Sequence, residues 1–220
     1  GQIDQCTDKN IASTKAYVAQ LISFGLIALW LGKERGADPV RLSRLATSLQ
    51  TAPRLVESVL ARADDIRRVA EKYAHHRHML FLGRKYNVST AYEGALKLKE
   101  VSYMHAEGYP AGEMKHGPLA MIDKDFPVLA IAPKDSVHEK MVSNIEEIKA
   151  RGGPVIMLAT DGNKGAKDLA TDVIWLPECE EEMTPLVSTV TLQLFAYYTG
   201  VSLGYDVDRP RNLAKSVTVE

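Results

Sequence analysis

Four short apolar runs mark the later part of the chain: residues 79–82, closed by Gly83, then 127–132, 154–159 and 173–176. None alternates with polar residues, so each predicts a strand buried on both faces, as in a parallel sheet. Helices are predicted between them, over about 89–104 and about 137–151, the second closed by Gly152 and Gly153. Strand alternating with helix implies right-handed crossovers and an α/β fold whose sheet is covered on both faces. Thr184 and Pro185 open a last helix running to about Leu203, and from Asp206 onward no strand or helix period is legible.

The chain up to Tyr73 reads as helix alone. Ser13 can cap a run from Thr14 to about Lys33 that Gly36 ends, and Asp38 with Pro39 supplies a cap and first-turn proline for a second helix. Thr51 and Pro53 repeat that signal, and Leu55, Val56, Val59, Leu60, Ile66, Val69 and Ala70 follow at helical spacing. The longest apolar stretch, 16–32, sits at the short edge of membrane-span length and contains Gln20 and Ser23; it is read as a buried core helix, with no membrane partner. The first ten residues lack a signal-peptide pattern. There is no internal repeat or low-complexity tract.

Composition narrows the picture. At 220 residues with 45% hydrophobic side chains, the chain can bury a full core without staples. Its 27 basic and 28 acidic residues give a net charge of -1, which argues against a field-driven partner such as nucleic acid or an anionic membrane. Cys6 and Cys179 form no paired motif, so neither a zinc nor a disulfide framework is readable, and a reducing cytoplasm is expected.

Candidate chemistry lies in a few places. The loop 83–90 follows the first strand and opens a helix, where a phosphate or a carboxylate could be received; the plain alternative is a strand-to-helix turn with Ser89 as cap. Glu93, Lys97 and Glu100 recur at i, i+4 and i+7, so they share one helix face, as an acid/base device or as an ordinary solvated stripe. His116, in a loop-like stretch, is a proton-transfer candidate or a surface imidazole. His75, His76 and His78 are read as a surface loop rather than a metal site, and Glu178, Glu180, Glu181 and Glu182 as a solvated acidic turn.

Taken together, segments 93–100 (EGALKLKE), 112–120 (GEMKHGPLA), 206–220 (DVDRPRNLAKSVTVE) and 12–17 (ASTKAY) resemble the glutamine:fructose-6-phosphate amidotransferase family, the glucosamine-6-phosphate synthases. The resemblance covers nearly all of the chain after residue 11. It implies a flavodoxin-like sugar-isomerase (SIS) domain. Residues 1–11 would be a leader or remnant, 12–74 the helical end of a first isomerase domain, 75–205 the second isomerase domain, and 206–220 an active-site tail. By resemblance, Glu100 moves a proton between C1 and C2 of the sugar, His116 from the neighbouring subunit of a homodimer opens the ring, and Lys215 forms an imine with the ketose. Ser13, Glu93, Lys97 and Ala214 would line the sugar pocket. Fructose 6-phosphate is the implied substrate and glucosamine 6-phosphate the implied product, with no metal or organic cofactor.

Two departures carry weight. Lys85, Val88 and Ser89 replace the small or rigid residues that the family usually has in the loop after the first strand. The family's glutaminase domain and the phosphate loops of its first isomerase domain lie upstream, so the chain alone is expected to be inactive. The rival readings are a plain sugar-phosphate isomerase and a sugar-phosphate-sensing module, and a tail lysine placed for imine formation separates the parent enzyme from the sensor.

Overall fold

The structure is a computed structural model that describes residues 12–213. The expected leader 1–11 and the tail residues Ala214 and Lys215 lie outside the described residues.

Five strands form one parallel sheet: β1 (His78–Gly83), β2 (His105–Pro110), β3 (Val128–Ala132), β4 (Val155–Thr160) and β5 (Asp172–Leu176), in the order β2-β1-β3-β4-β5. Alternate residues of each central strand serve opposite faces, as the pleat requires. Met79, Phe81, Leu129, Ile131, Ile156 and Leu158 enter one core, while Leu80, Leu82, Val128, Ala130, Val155 and Met157 enter the other. The first core is closed by α3 (Ala52–Leu60), α4 (Ala63–Tyr73), α5 (Asn87–Ser102) and α8 (Thr184–Ser202). The second is closed by α6 (His138–Lys149), by the short α7 (Ala166–Leu169) and by 3₁₀ turns at Ala111–His116 and Pro118–Met121.

The four apolar runs became the inner strands and β5, but β2 was not legible. Its sequence, HAEGYP, has only one buried residue, Ala106, because it pairs with β1 alone at the sheet edge and needs no continuous apolar run. Gly108 explains how α5 fits over it: a Cβ there would lie 2.7 Å from the backbone N and Cα of Tyr92.

At the N-terminus, α1 (Lys15–Glu34) and α2 (Pro39–Gln50) form an antiparallel pair. Asp38 caps α2 as expected, accepting the Val40 N–H at 3.0 Å with Pro39 in the first turn. Gly36 closes α1 at φ 66°. The expected Ser13 cap does not form: the helix begins after Thr14, with no side-chain cap bond. Thr51 also fails to cap α3, its hydroxyl donating back to the Ser48 carbonyl at 2.6 Å. The larger correction concerns burial. No residue of α1 is buried, so the expected core helix is not one among the described residues; Phe24 is 67% exposed and Trp30 61%. By length and composition alone α1 is also apolar enough to cross a membrane.

Candidate functional site

The residues that share a face of α5 become a site because the helix is clamped between β1, β2 and α8. Burial reaches even its charged side chains: Glu93 is 8% exposed and Lys97 5%. Lys97 Nζ donates to Glu100 Oε2 at 2.6 Å and stands 3.8 Å from Glu93 Oε1, too far for a hydrogen bond. Glu93 Oε1 is buried without a hydrogen-bond partner. One ammonium thus serves two carboxylates and satisfies only one of them.

The electrostatics follow from that imbalance. Burial pushes the Glu93 carboxyl up to about 7; Lys97 works against this and the charge of Glu100 adds to it. Near neutrality Glu93 therefore holds or releases a proton while Glu100 keeps a rigid cationic partner. Tyr17 of α1 comes against the same helix: burial raises its phenol, the Ser89 hydroxyl lowers it, and the charge of Glu93 raises it further. Tyr17 was missed as a neighbour of the site because no periodicity links α1 to α5.

The loop after β1 takes a different form from the one expected. Its turn is tight, since a Cβ on Gly83 would fall 1.9 Å from the Asn87 carbonyl oxygen. The helix begins at Asn87, and Ser89 donates to the Tyr86 carbonyl at 3.0 Å instead of capping. Lys85, where the family usually has a small residue, adopts φ 52°, a conformation that costs a residue with a Cβ roughly 1–2 kcal/mol. Its ammonium binds the Glu181 carboxylate and the Ser136 hydroxyl, and Ser136 also donates to Glu181 through its N–H (3.2 Å) and hydroxyl (2.9 Å). Burial would raise Glu181, but these donors outweigh it and hold the carboxyl below its usual range. The loop thus receives a carboxylate from its own chain, and Glu181 is not part of a merely solvated turn. Arg84 is likewise engaged, with Asn144 Oδ1 at 2.9 and 3.1 Å.

The other expected site residues are not gathered here. His116 ends a 3₁₀ turn, with its side chain 75% exposed and Nε2 3.8 Å from Glu113. Ser13 is exposed, between buried Ala12 and Thr14, whose carbonyl accepts the Gln193 amide of α8 at 3.2 Å. His78 stacks on Phe126 and meets His105 edge to face, with ring centroids 5.9 and 5.5 Å apart. Among the described residues no group of three or more His, Cys, Asp or Glu side chains is arranged to hold a metal ion.

Residues 72–202 match the family model described as the SIS domain. The chain belongs to the SIS domain family. It is 55% identical over 211 residues to the glutamine--fructose-6-phosphate aminotransferase [isomerizing] of Thermus thermophilus, covering 96% of this chain and 35% of that protein. The Aquifex aeolicus protein of the same name is 49% identical over 210 residues, with 96% and 34% covered. Among solved structures, the C-terminal domain of glucosamine-fructose-6-phosphate aminotransferase from Francisella tularensis superposes with a TM-score of 0.84 at 36% identity, over 91% of this chain and 57% of that one. A glucosamine-6-phosphate deaminase from Thermotoga maritima, at 24% identity and TM-score 0.68, shares the fold. The chain spans about a third of the length of these curated relatives. Within the SIS domain the buried Glu93 and Lys97 and the half-buried Glu100 all lie on α5, the helix that follows its first strand.

Proposed function

We propose that this chain is the isomerase part of an enzyme that makes glucosamine 6-phosphate from fructose 6-phosphate and glutamine. In this reading 12–74 end a first isomerase domain, 75–205 form the second, 206–220 are an active-site tail, and the protein works in the cytoplasm. The names of the relatives support the parentage, and the Glu93–Lys97–Glu100 cluster carries the chemistry. Moving a proton between adjacent sugar carbons needs a carboxylate held in one orientation, and Lys97 holds Glu100 by one oxygen. Glu93, pushed up to about 7, takes up or releases a proton beside it near neutral pH. Lys215 supplies an amine that condenses with the C2 carbonyl, releasing water. The imidazole of His116 is exposed, which suits the role of opening the ring in a second copy of a homodimer.

The chain by itself is expected to lack a phosphate cradle. Lys85 and Arg84, the cations at the end of β1, are engaged by Glu181 and Asn144. The test has two arms. In the longer enzyme carrying this chain, Glu100→Gln should slow isomerisation by about 10²- to 10⁴-fold; an unchanged rate overturns the assignment. The chain alone, assayed at millimolar fructose 6-phosphate with and without ammonia, should show no turnover, and saturable turnover lost in Glu100→Gln would overturn its incompleteness.

A further inference from the structure

The winding of the sheet reverses between β1 and β3: α5, which follows β1, covers one face, and α6, which follows β3, covers the other. At such a switch point the loops after the two strands part and leave a crevice at their carboxyl ends, the place where open α/β sheets take ligands. Here the loop after β1 brings Lys85 and the loop after β3 brings Ser136. Both close on a carboxylate that belongs to neither loop, that of Glu181 in the 3₁₀ turn Glu181–Met183 ahead of α8.

The carboxylate is held as an anionic ligand would be. Glu181 Oε1 accepts the Lys85 ammonium and, at 2.9 Å, the Ser136 hydroxyl, while Oε2 accepts the Ser136 N–H at 3.2 Å. Lys85 Nζ also donates to the Ser136 hydroxyl at 3.0 Å, which ties the two loops together. A cation, a hydroxyl and a backbone N–H converging on two oxygens form a donor set suited to a phosphoryl group as well as to a carboxylate. The acidic neighbour, Asp135, has Oδ1 engaged by the Val137 N–H at 3.0 Å.

Lys85 shows that the contact is particular to this chain. Glycine suits its φ of 52°, and the family usually has a small residue there; the lysine keeps the costly conformation, and its ammonium reaches Glu181. The crevice is also within reach of solvent, the Lys85 side chain being 39% exposed and that of Glu181 24%. We infer that the crevice between β1 and β3 is an oxyanion site that Glu181 keeps closed, its carboxylate standing where Lys85 and Ser136 would hold a phosphoryl group, free or at the end of a sugar. Closure by Glu181 does not depend on the function proposed above, because it concerns binding at this crevice and not turnover at α5.

Glu181→Ala opens the crevice. In the 220-residue chain with this change, about 20 mM inorganic phosphate should raise the melting temperature by at least about 3 °C over chloride of equal ionic strength, as a dissociation constant of about 1 mM implies. The unsubstituted chain should bind phosphate at least about tenfold more weakly by calorimetric titration, because the carboxylate must first be displaced. Equal binding by the two chains overturns the proposal. So does the absence of a phosphate-specific shift in Glu181→Ala, which would make Glu181 a structural ion pair and nothing more. Glu181→Ala/Lys85→Gly keeps a residue suited to the left-handed backbone but removes the cation, and it should lose the shift; an undiminished shift overturns the assignment of the donors. Should Glu181→Ala fail to fold, Glu181→Gln keeps the shape without the charge and carries the same comparison. Fructose 6-phosphate binding the opened crevice at least about tenfold more tightly than inorganic phosphate supports a sugar-phosphate site, and equal binding supports a site for the phosphoryl group alone.

Discussion

Helices α1 and α8 are of nearly equal length, 20 and 19 residues, and both are apolar around most of their circumference. Their fates differ completely. In α8, Val187, Leu192 and Phe195 are buried, and so are Ser188, Thr189, Thr191 and Thr199. Thr191 and Thr199 donate to the carbonyls of Val187 and Phe195, four residues earlier, each at 2.8 Å. In α1 nothing is buried. The difference lies in the neighbours. Helix α8 runs among α3, α4 and α5 over the sheet, whereas α1 makes its main contacts with α2 and, to a smaller extent, α8, and reaches α5 through Tyr17. An apolar helix is a demand for partners, and only the arrangement of the rest of the chain says whether the demand is met.

The contrast is sharpest at matched phenylalanines. Phe195→Ala should destabilise the chain by about 3–5 kcal/mol, because Phe195 is 1% exposed, whereas Phe24 is 67% exposed and Phe24→Ala should change stability by less than about 0.5 kcal/mol. Urea unfolding measures both, and a comparable loss at Phe24 would break the contrast, showing α1 covered in solution.

A somewhat smaller effect tests α5, which is pressed against α8. The Glu93 carboxyl stands at about 7 in the fold, above its ordinary 4.5. Between those values the folded chain keeps a proton that the unfolded chain has released, so stability is lost as pH rises through that window and is level outside it. The group's share is about 3 kcal/mol. Glu93→Gln should remove this fall, so its stability relative to the parent should climb from pH 4.5 to 7; a constant difference would mean that the fold does not hold Glu93 out of water.

The smallest effect belongs to the α1 side. Asp38→Ala removes the α2 cap and should cost about 1 kcal/mol. Hydrogen exchange should locate the loss in α1 and α2, with α8 amides unaffected. Equal acceleration in α8 would show that the two helices unfold as one unit.

Much of this was readable from residue order, and what was not has specific causes. The inner strands were visible because both faces of each are buried, so no polar residue interrupts them. The i, i+4, i+7 spacing placed Glu93, Lys97 and Glu100 on one face, but it could not choose between a solvated stripe and a buried cluster. That choice was made by tertiary packing, which brings Tyr17 of α1, far away in sequence, against Glu93. The loop 83–90 shows the same limit: its position after β1 left open an anion receiver or a plain turn, and the anion that Lys85 meets is Glu181, 96 residues later.

By itself the order of residues determined the helices α1 to α6 and α8, the strands other than β2, the caps at Asp38 and Gly36, the parallel sheet and the shared face of the charged trio. These depend on steric limits and hydrophobic periods within a few residues. The tertiary structure alone decided which apolar helix is covered, which carboxylate Lys97 satisfies, that Glu93 titrates near neutrality and that Glu181 meets Lys85 and Ser136. Burial, field and contact are set by groups that meet only when distant parts of the chain are folded together.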